Sequence, residues 1–302
     1  MSTTSTSQAT VSQRWSREQD SFFREGVRRF FRGRANVIGL AILVLAILCA
    51  LTPTEILPWN PTKIAVQDRF AAPVFAGGTV EHILGTDNLG RDLACRLVYA
   101  ARFAVAVTFT AAGLSALVGV TAGMVAGYFG RWVDIVISRV IDMQMAFPPI
   151  FLAIAVLAVA GSSFTNLVLV LAAVDWVGFA RVIRGVTLSL RERDFVEAAR
   201  ALGAGNRRIL QFHLLPNLLS PIVVLLTYSA ARLMLTESAL SFLGLGIIPP
   251  ATTWGGMTGD GRNYLYDAWW VSTVPGTVIA LMVLSINFVG DGLRDAFDPQ
   301  MK

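Results

Sequence analysis

The sequence predicts an all-α integral membrane protein with about six transmembrane helices and one structured polar loop between the fourth and the fifth. Three observations carry this. Of 302 residues, 54% are hydrophobic and only 15% charged, whereas soluble domains carry about 25% charged residues; mean hydropathy is +0.60. Six stretches reach or approach the roughly 20 apolar residues that cross a bilayer as a helix. Basic side chains are divided unequally among the segments that join those stretches.

The composition also narrows the chemistry. Lys63 and Lys302 are the only lysines, and neither follows a glycine ahead of Ser or Thr, as a phosphate-binding loop requires. Two cysteines, Cys49 and Cys95, and two histidines, His82 and His213, exclude a zinc finger or a disulfide framework.

The first apolar stretch, 35–53, has an uncharged core at 37–51. It is short enough for a signal peptide, but 36 residues with seven Arg precede that core and no small-x-small cleavage site follows. Leu48 is too bulky ahead of Cys49 for a lipoprotein site, so the stretch reads as a retained first span. The others lie near 100–127, 136–161, 164–183, 218–245 and 273–290.

With a cytoplasmic N-terminus, the inner side receives Arg14, Arg17, Arg24, Arg28, Arg29, Arg32 and Arg34, then Arg131 and Arg139. It further receives Arg181, Arg184, Arg191, Arg193, Arg200, Arg207 and Arg208 around the fourth inner boundary, and Arg294 and Lys302 at the end. The outer side holds six: Lys63, Arg69, Arg91, Arg96, Arg102 and Arg262. This is the positive-inside pattern. It explains the pI near 9.7 without nucleic acid and places both termini in the cytoplasm.

Ser115, Gly119, Gly123 and Gly127 recur every fourth residue of the second span, so another backbone can approach that face closely. Phe147-Pro148-Pro149 predicts a kink or a helix start in the third. Tyr128, Phe129 and Trp132, and Trp269-Trp270, suit the two interfacial belts. The outer loops, 54–98 and 246–271, are too long for plain connections and predict an external surface or plug. The Ser/Thr-rich residues 2–12 read as disordered.

The inner loop at 188–216 is polar and basic yet helix-forming. Asp194 suits a first turn and Gly203 a stop; a second helical run, 206–215, should end before Pro216. Phe195, Ala199 and Leu202 fall at helical spacing, as do Ile209, Phe212 and His213. Two short amphipathic helices at an angle result. They either lie on anionic lipid or dock a soluble partner.

Glu197-Ala198-Ala199, three residues, Gly203, nine residues, then two more before Leu215-Pro216 resembles the EAA loop of bacterial ABC importer permeases. The general pattern has Ile where this chain has His213, but His213-Leu-Leu-Pro216-Asn217 resembles the peptide-importer branch. The resemblance continues through Leu84-Gly-Thr-Asp-Asn-Leu-Gly-Arg-Asp92, Ala146-Phe-Pro148, Ala180-Arg-Val-Ile-Arg-Gly185 and Leu240-Ser-Phe-Leu-Gly-Leu-Gly246. Pro249-Pro250, Trp254-Gly255 and the run from Asn287 to Pro299 extend it over most of the chain from about Arg34, leaving 1–33 uncovered. The chain thus resembles the second, C-type permease of dipeptide, oligopeptide or nickel importers.

The resemblance implies a type I ABC importer permease: a cytoplasmic segment at 1–34 and a transmembrane permease domain at 35–302. It implies an EAA loop that docks as a coupling helix in a groove of an ATPase subunit. Glu197 would pair with basic groups there, Ala198 and Ala199 would allow close approach, and Gly203 would make the turn. Arg191, Asp194 and Phe195 are further expected contacts, and Pro216 closes the element. It implies a homologous second permease, two ATPase subunits and an extracytoplasmic solute-binding protein as partners, with ATP and Mg on the ATPases and no cofactor on this chain. The setting is the bacterial inner membrane, and the solute a dipeptide, oligopeptide, opine-like conjugate, glutathione or nickel.

No nucleophile–base pair stands out, so the chain is expected to do no hydrolysis. His82, Asp87 and Asp92 could be pictured as an outer metal site, but aspartates in turns more often hold their own backbone. Ionisable groups within spans cost roughly 2.5–3.5 kcal/mol on insertion scales and mark function by default. These are Asp175 in the fourth span and Arg232 and Glu237 in the fifth, with Asp142 as an inner-end structural group. Arg232 and Glu237 are five apart and point different ways; Asp175 with Arg232 is a cross-helix pair, either structural or facing the pathway. A self-contained secondary transporter remains the competing class. It predicts broken midplane spans and inverted repeats, which the sequence does not display, and it gives the 188–216 loop no role.

Overall fold

The computed structural model describes residues 26–58 and 60–297. The 2–12 segment, Arg14, Arg17, Arg24 and Lys302 lie outside the described residues. The helices are α1 (26–32), α2 (Arg34–Leu51), α3 (Leu93–Phe129), α4 (Arg131–Met145), α5 (Pro149–Ala160) and α6 (Phe164–Leu190). They continue with α7 (Asp194–Ala201), α8 (Asn206–Phe242), α9 (Trp254–Gly261) and α10 (Trp270–Phe297). Among the described residues the one β feature is an isolated bridge between Thr86 and Asp92. Among the described residues five helices are long and apolar enough to cross a membrane, and there are six if the bent pair α4–α5 is counted as one span.

α3 is the spine. Its 37 residues make a rod of about 55 Å. It starts at Leu93 rather than near 100 because Asp92 caps it, accepting from the Cys95 N–H at 2.8 Å. Arg96 can occupy its buried first turn because Asp87 and Asp260 neutralise it. The stripe of small residues faces α6, which runs parallel. A Cβ on Gly123 would stand 2.5 Å from the Ala180 carbonyl, and one on Gly127 2.7 Å from Thr187 Cβ. Ser115 donates to the Ala172 carbonyl at 3.3 Å.

The third span is broken. α4 ends at Met145, α5 begins at Pro149, and the two axes differ by 84°. Pro148 and Pro149 lack the N–H groups a continuing helix needs and hold the preceding residue out of the α region; Pro149 sits in the first turn of α5, where that loss is harmless. α4 is strapped to α6 by Arg184 Nη2 donating to Asp134 at 2.7 Å. A second strap is Gln144, which donates to the Ala173 and Val174 carbonyls at 2.9 and 3.0 Å and accepts from Trp176 Nε1 at 2.9 Å. Asp142 is exposed, 3.9 Å from Arg139.

α8 corrects the expectation that the helical run stops before Pro216. It continues to Phe242 through a π-helical stretch, Ile209–Leu214. The wider i→i+5 ladder there re-registers the bonds, so that Pro216 falls in the first turn of the α-helix that follows and removes no needed donor.

At the far end, the long segment before α3 is folded onto the bundle. Ala65 N–H donates to the Leu89 carbonyl at 3.0 Å and Thr86 N–H to the Ala71 carbonyl at 3.0 Å. Trp270 Nε1 donates to the Thr86 carbonyl at 3.2 Å, so Trp270 is a buried strut and not a belt residue. Trp269, Phe129 and Trp132 do keep exposed rings. The main core joins α3, α5, α6, α8, α9 and α10 through residues such as Val107, Leu157, Leu171, Met234, Met257 and Met282.

Candidate functional site

The 191–216 segment is an elbow that follows α6 and consists of α7 and the first turns of α8. α7 starts with Asp194 and Glu197 in its first turn, where carboxylates favour the helix N-terminus. It ends in a paired closure: Gly203 N–H donates to the Arg200 carbonyl and Ala204 N–H to the Ala199 carbonyl, both at 3.0 Å. This is a Schellman end, and Gly203 supplies its left-handed residue at φ +83°.

The elbow has two faces. Val196, Ala199, Ile209 and Leu214 are buried in a cluster with Tyr128 from the end of α3. Asp194, Glu197, Ala198, Arg207, Arg208 and Pro216 are exposed. With them stand Phe195 (41% exposed), Phe212 (71%) and Leu202 (89%), large apolar side chains held in water or against a partner. Two expected docking residues point elsewhere. Ala199 packs inward, and Arg191 donates to the Gly127 carbonyl at 3.0 Å and pairs with Glu192 at 3.3 Å. Helical spacing shows that a helix is two-faced without showing which neighbour covers which face. Val196 is the buried anchor of this face, and a lone valine between Phe195 and Glu197 carries no sequence signal for it.

Asp175 and Arg232 do meet. Arg232 Nη2 pairs with Asp175 Oδ1, and Ser229 donates its hydroxyl to the other carboxylate oxygen. The pair is lopsided: the Asp175 side chain is 3% exposed and that of Arg232 61%. Both line a cavity of about 300 Å³ with Gln144, Phe147, Arg181 and Thr236. Phe147 and Pro149, on either side of the bend, therefore form one wall of the space that Arg232 lines. Glu237 does not join them. It is fully buried, accepts from Ser241 at 2.7 Å, and sits where the start of α9 crosses α8. One and a half turns along α8 carry it to another face and out of the cavity.

At the far end, Asp87 Oδ1 accepts the Leu89 and Arg91 N–H groups at 2.8 and 3.0 Å, while Oδ2 holds Arg91 Nε at 2.6 Å and also Arg96. His82 Nδ1 lies 2.9 Å from Asp92. Turn-holding and charge pairing account for these carboxylates.

Residues 119–302 match the family of binding-protein-dependent transport system inner membrane components, and residues 21–73 match the N-terminal transmembrane domain of oligopeptide transport permease C. The chain belongs to the binding-protein-dependent transport permeases. The second match starts at residue 21, earlier than the motifs indicate. The chain is 41% identical over 280 residues to the dipeptide transport system permease protein DppC of Alkalihalophilus pseudofirmus, covering 93% of this chain and 90% of that one. It is 36% identical to the di/tripeptide transport system permease protein DppC of Pseudomonas aeruginosa, covering 92% of each. In fold it is similar to the MetNI methionine ABC transporter in an inward-facing conformation, with TM-score 0.56, 20% identity, and coverage of 68% of this chain and 98% of that one.

Membership in this permease family decides against a self-contained secondary transporter. It does so although α4–α5 is the kind of interrupted span such a transporter would use.

Proposed function

We propose that this chain is the C-type permease of an ATP-driven importer that carries di- or oligopeptides across the bacterial inner membrane. A homologous permease would form the other half of the path, two ATPase subunits would bind ATP and Mg below it, and a solute-binding protein would load it from outside. The observation that carries this is the elbow. Two helical arms, α7 just after α6 and the first turns of α8, present Glu197, Ala198, Phe195, Leu202 and Phe212 outward, and a polar loop that exposes three large apolar side chains fits a protein groove. Peptide is favoured over nickel by the relatives' names and by the cavity, where a cation beside a buried carboxylate suits a solute with charged termini.

The reading leaves this chain without an ATPase site and puts the elbow and both termini in the cytoplasm, in accord with the arginine distribution. The test is purification of the tagged chain from its native membrane with and without Glu197→Lys. The parent chain should bring down a second permease and two ATPase subunits. The variant should insert but lose the ATPases and all uptake; normal transport by it would refute docking through this elbow.

A further inference from the structure

The elbow is joined by peptide bonds to α6 and α8, so those helices follow it directly. α3 is not, yet its 37 residues reach the Asp87–Arg96–Asp260 network at the far end. Along its length it packs on α6 through glycines and through side chains, with Ser115 bonded to the Ala172 carbonyl and Ala116 and Val120 set against Phe179 and Ile183. That contact ties α3 to α6, the helix that precedes the elbow. What holds α3 to the elbow is gathered in its last residues.

Tyr128 is 8% exposed, and its ring lies between the arms, clustered with Val196 and Ala199 of α7 and Ile209 and Leu214 of α8. Its hydroxyl donates to Asn206 Oδ1 at 2.8 Å. The Arg200 guanidinium stands 5.9 Å from the ring centroid. One residue earlier, the Gly127 carbonyl accepts from Arg191. A tyrosine expected at the lipid interface is thus the point where both arms and the spine meet. From these contacts we infer that Tyr128 is the positioning residue that makes α3 move with the coupling elbow. A push delivered to the elbow reaches the far end of the molecule through Tyr128. This rests on the elbow being the ATPase contact, and it adds which residue carries the stroke into the spine.

The test uses the whole complex in proteoliposomes, with tri-alanine and the loaded binding protein, reading peptide taken up per ATP hydrolysed. Tyr128→Leu should keep both ATPase subunits and hydrolyse ATP within about two-fold of the parent, while peptide per ATP falls ten-fold or more. Tyr128→Phe, which keeps the ring, should lower the ratio only a few-fold. Adding Asn206→Ala to Tyr128→Phe should lower it no further, since the two groups share one bond. If Tyr128→Leu does not assemble, Tyr128→Phe and Asn206→Ala decide alone. Hydrolysis and uptake falling together at constant ratio, or a ratio equal to the parent's, overturns the inference. Glu197→Lys separates the two layers. If it retains its ATPases, the reading of the elbow fails whatever Tyr128 does. If it loses them while Tyr128→Leu stays fully coupled, only the role of Tyr128 fails.

Discussion

At Gly203 the backbone takes φ +83° with nothing within 4 Å of where a Cβ would stand, so conformation and not space demands the glycine. Gly203→Ala should destabilise the elbow by about 1–2 kcal/mol, the ordinary cost of an L-residue in the left-handed region, and Gly203→Asn by less. Faster protease cleavage between α7 and α8 would report it. The Gly stop was readable because left-handed helix ends have a local sequence signature. The Asp175–Arg232 pair is different: Arg232 is largely exposed, so its attraction is shared with solvent. Removing the carboxylate strands the buried Ser229 hydroxyl as well. Asp175→Ala should therefore cost about 1–3 kcal/mol, read as a lower melting temperature of the purified complex. Exchanging the charges, Asp175→Arg with Arg232→Asp, should restore folding and invert the preference between acidic and basic peptides. Uptake with unchanged selectivity would make the pair purely structural.

Between helices, the small-residue stripe of α3 was visible as a four-residue spacing, but α6 as its partner was not, because spacing describes one surface only. Gly123→Leu drives a side chain into the Ala180 carbonyl and the backbone of Arg184. Overpacking of this kind costs about 1–3 kcal/mol or more, and the yield of folded, detergent-stable protein should fall. Gly113 on the same helix has nothing within 4 Å, so Gly113→Leu should be tolerated; equal damage from both would refute the interface. The break between α4 and α5 was likewise announced by Pro148-Pro149, whereas the 84° angle depends on the Asp134–Arg184 and Gln144 straps that hold α4 against α6.

For the molecule as a whole, the elbow and the loop before α10 lie at opposite ends, and the proposed topology, which rests on the arginine distribution, puts the elbow in the cytoplasm. In a chain with Cys49 and Cys95 replaced by Ser, a membrane-impermeant maleimide should label Tyr266→Cys in intact cells. It should reach Leu202→Cys only in inverted vesicles. The opposite result would turn the topology over and remove the basis for ATPase docking.

The sequence by itself determined the spans and the polar elbow. A backbone in lipid must satisfy its own hydrogen bonds, and only a helix does so within one segment, so apolar length and arginine placement can be read without knowing any contact. It did not determine which way side chains turn. Ala199, expected to allow close approach at the docking face, packs inward with Val196; Tyr128, matched to an interface belt, is the joint between α3 and the elbow; Glu237 is sealed under α9 while Arg232, five residues before it, faces the cavity. Each of these depends on the rotation and depth of one helix against another. Those quantities are set by packing among segments far apart in the chain, and the pattern within one segment does not contain them.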